Sequence, residues 1–315
     1  MNREIDVIAL GGNAIIPAEG DGTIEEQRTV TQETMKQVAA LVKEGRKVIL
    51  THGNGPIVGN IIERNDAVSD RIPPMPIDVC GADSQGGIGY MIQQILGNQL
   101  GGMGIDREIV SLISQVRVDG SDDAFQNPTK PIGPFYSSRE KDRIVKEKNW
   151  VMKEDVEGRG FRRVVPSPTP LEIIEAGVIS KLLEMDVIVI AVGGGGIPVV
   201  RDNHTLRGVE AVIDKDRAAS VLAENIGADR LIILTNVDYV YADYGRESQK
   251  ALKNISAGEL RKRYSNYEFP AGSMGPKVRA ALDFIEGGGK SAVIANVTDL
   301  LKACRSEKGT TIYPG

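Results

Sequence analysis

Apolar runs alternate with helical patterns along most of the chain. Short runs rich in Val, Ile and Leu resemble buried strands, whereas the segments between them repeat apolar residues with helical spacing. In 24–44, for example, Val38, Leu41 and Val42 fall on one helical face, and Gly45 follows as a C-terminal stop. This alternation predicts repeated strand–helix–strand units, and therefore a mostly parallel sheet with helices on both faces.

The same pattern predicts the bounds of the elements. We predict strands at 6–10, 47–51, 109–118, 187–192, 230–235, 291–296 and 309–313. We predict helices at 24–44, 57–65, 84–100, 172–185, 216–226 and 275–286, and a short hairpin in "HTLRGVEAVID" (204–214).

The middle of the chain interrupts this order. Residues 119–136 are polar and rich in proline, without a clear period, and a charged helix is predicted at 137–148. Short strands are predicted at 150–154 and 162–165 around the basic "GRGFRR" (158–163). We interpret 119–165 as an inserted flap. Its basic segment either closes over an anionic substrate or is a solvated hairpin.

Three strand-like runs end in glycine. They are followed by Gly11, Gly12 and Asn13, by Gly53, Asn54 and Gly55, and by Gly193–Gly196. Bare backbone N–H groups at a strand end and a helix start can bind an anion. Each stretch alone could be an ordinary tight connection. Because parallel strands present their carboxyl ends at one edge, together they indicate one anion site.

Two familiar phosphate motifs do not fit. In "GGGKS" (287–291) the first glycine of a P-loop would fall at Phe284, and the segment runs from helix to strand, so a helix C-cap is favoured. In "GNGPIVG" (53–59) the third glycine of a dinucleotide fingerprint comes one position late. A P-loop NTPase and a nicotinamide oxidoreductase are therefore not favoured.

Three lysines have unusual neighbours. Lys130 lies in the proline-rich "NPTKPIGP", Lys215 lies between Asp214 and Asp216, and Lys277 lies in the first turn of a predicted helix. A cation in a first turn opposes the helix dipole, which hints that Lys277 serves an anion. Any one of them could be a solvated surface charge. Together with the glycine turns they suit phosphoryl transfer, in which catalysis is mainly positioning and charge stabilisation.

Two aspartates and two histidines complete the candidate chemistry. Asp216 could anchor Lys215 and Lys277 or help to hold Mg²⁺, and Asp214 could do either less directly, while one of the two aspartates could be a helix N-cap. An acceptor of the carboxylate type needs no histidine base. We interpret His52 as structural and His204 as part of a surface turn.

Composition excludes several classes of partner. The 315 residues have a formal net charge of -5, so a large basic surface for nucleic acid is not expected. Cys80 and Cys304 show no metal spacing and no disulfide framework. The N-terminus lacks the shape of a signal peptide, and the longest apolar stretch (187–200) contains four glycines and is too short to cross a bilayer. We expect a cytoplasmic protein without a membrane or nucleic-acid partner.

Longer motifs give the chain a family resemblance. With "IALGGNA", "THGNGP", "DAFQNPTKPIGPFY", "GRGFRRVVPSP", "GVEAVIDKD" and "AGSMGPK", the chain resembles the carbamate kinases of the amino-acid kinase family over essentially its whole length. The resemblance implies a three-layer αβα sandwich with a protruding subdomain, a homodimer, and Mg²⁺-dependent, reversible phosphoryl transfer between ATP and carbamate in arginine metabolism. It implies an N-terminal lobe for carbamate or carbamoyl phosphate (1–205, with the flap at 119–165) and a C-terminal nucleotide lobe (206–315).

The resemblance also implies roles for single residues. Lys130, Lys215, Lys277 and Asp216 would be catalytic, with Lys130 reaching in from the flap and Asp216 organising the other two. Gly11, Gly12, Asn13, Gly53 and Asn54 would bind carbamoyl phosphate. Gly11, Asp214, Lys215, Thr235, Met274 and Lys277 would lie at the nucleotide. Asp83 and Gly87 stand where bulkier apolar residues are expected, which bears on packing or dimer strength.

Other functions remain open on the residues alone. A related kinase could phosphorylate another small carboxylic acid, and a non-catalytic sensor could bind nucleotide or carbamoyl phosphate without turnover. A sensor need not keep Lys130, Lys215, Asp216 and Lys277 together.

Overall fold

The fold is a large central sheet covered by helices, with a flap beside it. The computed structural model describes residues 4–17, 20, 22–156, 159–266, 268–270 and 272–315. Its α-helices are α1 (Ile24–Lys43), α2 (Gly55–Ala67), α3 (Ile77–Gly102), α4 (Ser138–Lys148), α5 (Ala176–Glu184), α6 (Lys215–Asn225), α7 (Ala257–Ser265), α8 (Met274–Glu286) and α9 (Leu300–Cys304).

The strands of the same ranges form sheets of different size. They are β1 (Ile5–Leu10), β2 (Lys47–His52), β3 (Ile109–Ser111), β4 (Gln115–Arg117), β5 (Lys130–Tyr136), β6 (Met152–Val156), β7 (Gly160–Val165), β8 (Glu172–Ile173), β9 (Ile188–Ile190), β10 (Ile197–Asp202), β11 (Thr205–Gly208), β12 (Arg230–Thr235), β13 (Val240–Ala242), β14 (Lys250–Leu252), β15 (Asn254–Ser256), β16 (Ser291–Asn296) and β17 (Thr310–Tyr313).

The central sheet confirms the predicted parallel arrangement. Its eight strands follow the order β15–β17–β16–β12–β1–β2–β9–β3. Neighbouring strands are parallel throughout, except that β16 and β17 are antiparallel. Strands from both halves of the chain meet in this sheet, because β1 pairs with β2 on one side and with β12 on the other.

Helices cover both faces of the sheet, which confirms the three-layer sandwich. On β1, Val7 and Ala9 join a buried cluster with α6 and α8, whereas Ile8 and Leu10 join a second cluster with α1 and α3. A strand buried on both faces needs apolar residues at every position, which explains the uninterrupted apolar run in the sequence.

The described residues form three smaller sheets outside the central one, of which β13 and β14 make a two-stranded antiparallel sheet. Strands β5, β7 and β6 form an antiparallel sheet that packs with α4, and all of these elements lie within the predicted flap at 119–165. The hairpin predicted within 204–214 was wrong, because β11 pairs with the preceding strand β10 and the observed hairpin spans residues 197–208. Both strands belong to a four-stranded sheet of order β11–β10–β4–β8. The expected lobe boundary at residue 205 falls in this hairpin.

The prediction of one strand at 109–118 was wrong. The segment divides into β3 in the central sheet and β4 in the four-stranded sheet. The break comes at Ser114, whose backbone N–H donates to Gln85 Oε1 at 2.8 Å and whose carbonyl accepts from Gln85 Nε2 at 3.1 Å. A buried side chain from α3 thus takes the backbone bonds that a neighbouring strand would otherwise supply.

Other elements also differ from the prediction, as three examples show. The predicted helix 172–185 begins only at Ala176, because Glu172 and Ile173 pair with β4. Lys130 is the first residue of a strand rather than part of a loop, and the prolines of β5 are tolerated at the edge of the small sheet. Helix α3 begins at Ile77, seven residues before its predicted start at 84.

Candidate functional site

The glycine turns after β1 and β2 lie at the carboxyl edge of the central sheet. A Cβ atom on Gly11 would lie 2.7 Å from the carbonyl oxygen of Leu234 at the end of β12. A Cβ on Gly53 would lie 3.1 Å from Cδ of Lys215. Glycine at these two positions therefore leaves room for β12 to approach the backbone at Gly11 and for the aliphatic part of the Lys215 side chain to approach it at Gly53.

Two cavities open at this edge and share one wall. The smaller, of about 150 Å³, is lined by Gly11, Asn13, Thr235 and Asn236, among others. The larger, of about 510 Å³, is lined by Gly53, Asn54, Lys130, Asp214 and Asp216, among others. Gly12, Lys215 and Lys277 line both cavities. Two anions held in these cavities would therefore meet at the two ammonium groups.

Lys215 and Lys277 are joined by one buried carboxylate. Lys277 Nζ donates to Asp216 Oδ2 at 3.1 Å, and Lys215 Nζ donates to Asp216 Oδ1. Asp216 is only 2% exposed. Burial alone would raise the pKa of Asp216, but the two ammonium groups outweigh burial and lower its pKa to about 2. The carboxylate is therefore ionised at neutral pH and fixes the separation of the two cations.

The ammonium of Lys215 has an unusual environment of its own. Burial lowers the pKa of Lys215 from its ordinary value, the charge of Asp216 opposes this effect, and repulsion from Lys277 adds to it. A partly desolvated cation interacts more strongly with a developing negative charge than a solvated one does.

Asp214 links the flap to the helix that carries Lys215. Its Oδ1 accepts from the backbone N–H groups of Asp216 at 3.0 Å and Arg217 at 3.3 Å, which confirms that it is the N-cap of α6. Its Oδ2 accepts from Lys130 Nζ at 3.0 Å. Lys130 therefore reaches the larger cavity from the flap strand β5 with its charge paired to α6.

The basic segment of the flap reaches the larger cavity through Arg162. This guanidinium lies 5.3 Å from the ring centroid of Phe135 and donates from Nε to the Gly133 carbonyl at 2.9 Å. Arg162 and Phe135 both line the cavity, although no local sequence signal singled out Phe135. Gly158, the first residue of the basic segment, lies outside the described residues, as does Ala271 of the "AGSMGPK" motif.

The third glycine stretch packs against other residues more than it faces a ligand. Cβ atoms on Gly193 and Gly194 would lie 2.3 Å from His52 Nε2 and from Asn54 Nδ2, respectively. Gly193–Gly195 are buried. Of the described residues of this stretch, Gly194 alone lines the larger cavity. The expectation that all four glycines offer donors to one anion was wrong, because the N–H groups of Gly195 and Gly196 already donate to the carbonyls of Val192 and Gly193.

His52 has the environment of a structural histidine. It is 1% exposed, and its Nδ1 donates to the Gly53 carbonyl at 3.0 Å. Burial lowers the pKa of His52 to about 4, despite the opposing effect of that hydrogen bond. The ring is therefore neutral at physiological pH and holds the turn that follows β2.

Two of the residues expected at the nucleotide, Thr235 and Met274, differ in position. Thr235 ends β12 and lines the smaller cavity beside Asn236, which the sequence pattern did not single out. Met274 is the first residue of α8 and packs partly against the hydrophobic core. Within the described ranges, Met274 lines neither cavity.

Comparisons with known proteins show which family and which solved structures this chain resembles. The sequence profile of the amino acid kinase family matches residues 4–296. The chain is 50% identical to a carbamate kinase of Pyrococcus horikoshii, over 98% of each chain. It is 46% identical to carbamate kinase 2 of Staphylococcus epidermidis, over 97% of this chain and 98% of that relative. A solved carbamate kinase of Giardia lamblia bound to AMP-PNP superposes with a TM-score of 0.93 at 42% identity, covering 100% of this chain and 99% of that one.

Proposed function

This chain belongs to the amino acid kinase family, and we propose that its site performs the carbamate kinase reaction through the ammonium pair of Lys215 and Lys277. Carbamate kinase function follows from near-full-length similarity to carbamate kinases in both sequence and structure. No observation favours a kinase of another small acid.

The position of the ammonium pair carries the mechanism. The carbamate oxygen is already anionic, so it can attack the terminal phosphorus of ATP without a base. The new P–O bond forms as the bond to the leaving ADP oxygen breaks, and negative charge spreads over the transferred group. Lys215 and Lys277 line both cavities, so both cations face the point where that charge develops.

The two cavities suggest a division of substrates. We assign the terminal phosphates of the nucleotide to the smaller cavity, between Gly11 and Thr235. We assign carbamate or carbamoyl phosphate to the larger cavity, where the side chains of Lys130 and Arg162 carry hydrogen-bond donors. Gly53 also lines this cavity, but its backbone N–H already donates to the Leu10 carbonyl. Asp214 lies on the larger cavity, so we propose that it acts on the nucleotide only indirectly, by capping α6.

Mg²⁺ would enter as part of the nucleotide substrate. Among the described residues, no group of three or more His, Cys, Asp or Glu side chains is placed to hold a metal ion. Both oxygens of Asp216 accept from ammonium groups. Because both oxygens of Asp216 are already paired, we propose that the phosphate oxygens of the nucleotide are the main ligands of Mg²⁺.

A second copy of the chain would cover an exposed face beside β3. Strand β3 is an edge of the central sheet, and the exposed apolar residues Tyr90 and Ile113 line one shallow cavity with Ser111 of β3. Asp83 and Gly87 also lie exposed on α3. We propose a homodimer through this face. Light scattering on the eluting protein should give twice the chain mass, and a Tyr90→Glu variant should shift toward the monomer.

The cytoplasm is the proposed compartment, with arginine metabolism as the setting. Cys80 and Cys304 are both free thiols and both buried, as a reducing compartment allows. None of the helices in the described ranges combines the length and the apolar character needed to cross a bilayer.

Coupled ATP formation tests the reaction directly. Purified protein supplied with ADP, Mg²⁺ and carbamoyl phosphate should form ATP. In the opposite direction, carbamate should be phosphorylated far faster than acetylglutamate or aspartate. Absence of ATP formation, or an equal rate with another acid, would contradict the proposal.

A further inference from the structure

Asn54 occupies the N-cap position of α2 without capping the helix. Asparagine is favoured at this position because its side-chain oxygen usually accepts from an N–H of the first turn. Here the side chain makes no such bond, and Nδ2 instead donates to Ser84 Oγ of α3 at 3.2 Å. The side chain therefore lies on the larger cavity with a partner on another helix.

Ser84 determines which end of the Asn54 side-chain amide faces it. Ser84 is 1% exposed, and its Oγ donates to the Gly81 carbonyl at 2.6 Å. A hydroxyl has one proton, so toward Asn54 this oxygen can only accept. The NH₂ end of the amide must therefore face Ser84. Within the described residues, no group donates a hydrogen bond to the opposite end, Oδ1.

Gly194 provides the space for this orientation. A Cβ atom at position 194 would lie 2.3 Å from Nδ2 and 2.6 Å from Cγ of Asn54. Its φ of +65° is also a conformation that glycine adopts without strain. Any side chain at this position would push the amide away from Ser84.

Among the described residues, the charged side chains that line the larger cavity are either hydrogen-bond donors or acceptors that are already paired. An N–H group of a substrate would therefore need another acceptor. Lys130, Lys215, Lys277 and Arg162 are donors and suit the oxygens of an anion. The oxygens of Asp214 and Asp216 already accept from ammonium or backbone N–H groups. Carbamate differs from acetate and bicarbonate by its amino group, which must donate hydrogen bonds.

We propose that Ser84 and Gly194 are positioning residues that turn Asn54 Oδ1 toward the substrate, where it accepts an N–H of the carbamoyl group. The site then selects an amino group over a methyl group, because a substrate with a methyl group in that place would leave Asn54 Oδ1 without a hydrogen bond. This inference rests on the proposed carbamate kinase function. It adds the specificity of the acceptor pocket.

A Ser84→Ala variant tests the inference by selectivity. Acetyl phosphate carries a methyl group where carbamoyl phosphate carries NH₂, so its inhibition constant against carbamoyl phosphate reports the same pocket without the amino group. Without Ser84 Oγ the side-chain amide of Asn54 can flip, so that Nδ2 rather than Oδ1 faces the substrate. We expect kcat/KM for carbamoyl phosphate to fall about five- to tenfold, as for one lost hydrogen bond, while the inhibition constant of acetyl phosphate stays the same.

A matched control separates this effect from a general loss of packing. Ser180 Oγ also donates to a carbonyl one turn earlier in its helix, that of Ala176 at 3.1 Å, and Ser180→Ala should leave both constants unchanged. If Ser84→Ala changes both constants equally, or changes neither, the positioning role is refuted. If the unmodified enzyme forms no ATP from carbamoyl phosphate, the proposed function fails first and the inference fails with it.

Discussion

Lys277 Nζ lies 3.1 Å from Oδ2 of Asp216, and the other oxygen of this carboxylate binds Lys215. Lys277 belongs to the first turn of α8, where a cation opposes the helix dipole. The buried carboxylate offsets that cost and holds both cations before any substrate arrives. Preorganised charge of this kind needs no rearrangement when the transition state forms.

Removal of one of the two cations should lower kcat. We expect Lys215→Ala to lower kcat by roughly two to three orders of magnitude, as loss of one charge-stabilising donor commonly does. Initial rates of ATP formation measure this, with thermal melts to show that the variant is folded. Lys290 pairs with Asp229 and its side chain is 69% exposed, so Lys290→Ala should keep a normal rate. A near-normal rate for Lys215→Ala would remove Lys215 from the site.

Substitutions can separate the roles of the two Asp214 oxygens, of which one caps α6 and the other pairs with Lys130. Asp214→Asn keeps an oxygen to cap α6 but removes the charge that competes with substrate for Lys130. We expect the KM for carbamoyl phosphate to fall about two- to fivefold, the size of a partly exposed ion pair, with little change in stability. Asp214→Ala should in addition lose about 1 kcal/mol of stability with the cap. A higher KM in Asp214→Asn would show that the pair positions Lys130 rather than restraining it.

The flap rests on α2 through two glycines. A Cβ atom on Gly59 would lie 2.9 Å from Cα of Gly133 in β5, so Gly59→Ala must displace the flap strand. We expect a several-fold higher KM for carbamoyl phosphate and unchanged ADP affinity by calorimetry, because the residues of the smaller cavity lie on other elements. Gly258→Ala on α7, where a Cβ meets nothing within 4 Å, is the control. Weaker ADP binding in Gly59→Ala would count against the assignment of the cavities.

Acid should destabilise the protein through His52. Its pKa is about 4 in the fold and near its ordinary 6.5 in the unfolded chain, so the unfolded state binds the proton more tightly. The contribution of neutral His52 is complete above pH 6.5 and is lost as the pH falls toward 4, by about 3 kcal/mol in total. Urea unfolding at pH 7.5 and 4.5 should show a smaller loss for His52→Gln than for the unmodified protein. Equal losses would show that His52 does not titrate in this range.

Local patterns predicted the inner strands of the central sheet but not its two edges, β15 and β3, or the smaller sheets around it. The predicted bounds of β12 and β16 match the structure, because both strands are buried apolar runs with clear ends. The single strand predicted at 109–118 failed because Gln85, distant in sequence, binds the backbone of Ser114. Glu172 and Ile173 likewise continue a helical pattern, yet pair with β4.

The residues of the candidate site likewise divide into those that the sequence predicted and those that only the fold reveals. The turns at Gly11 and Gly53 and the lysines stood out because each breaks a local preference, and the structure brings them to one edge. Ser84 and Phe135 broke no such preference. Ser84 looks like an ordinary helical serine until the fold places Asn54 beside it, so its contribution depends on tertiary contact.

The β1–β12 ladder limits how this molecule can move. Four residue pairs, from Asp6–Arg230 to Ala9–Ile233, couple strands from the two halves of the chain. Pulling those halves apart would break backbone hydrogen bonds in the middle of the sheet. The two halves therefore cannot separate as independent bodies, and any relative motion between them has to be a change of twist within one sheet. ATP and carbamate enter a cleft whose floor is made by strands from both halves of the chain.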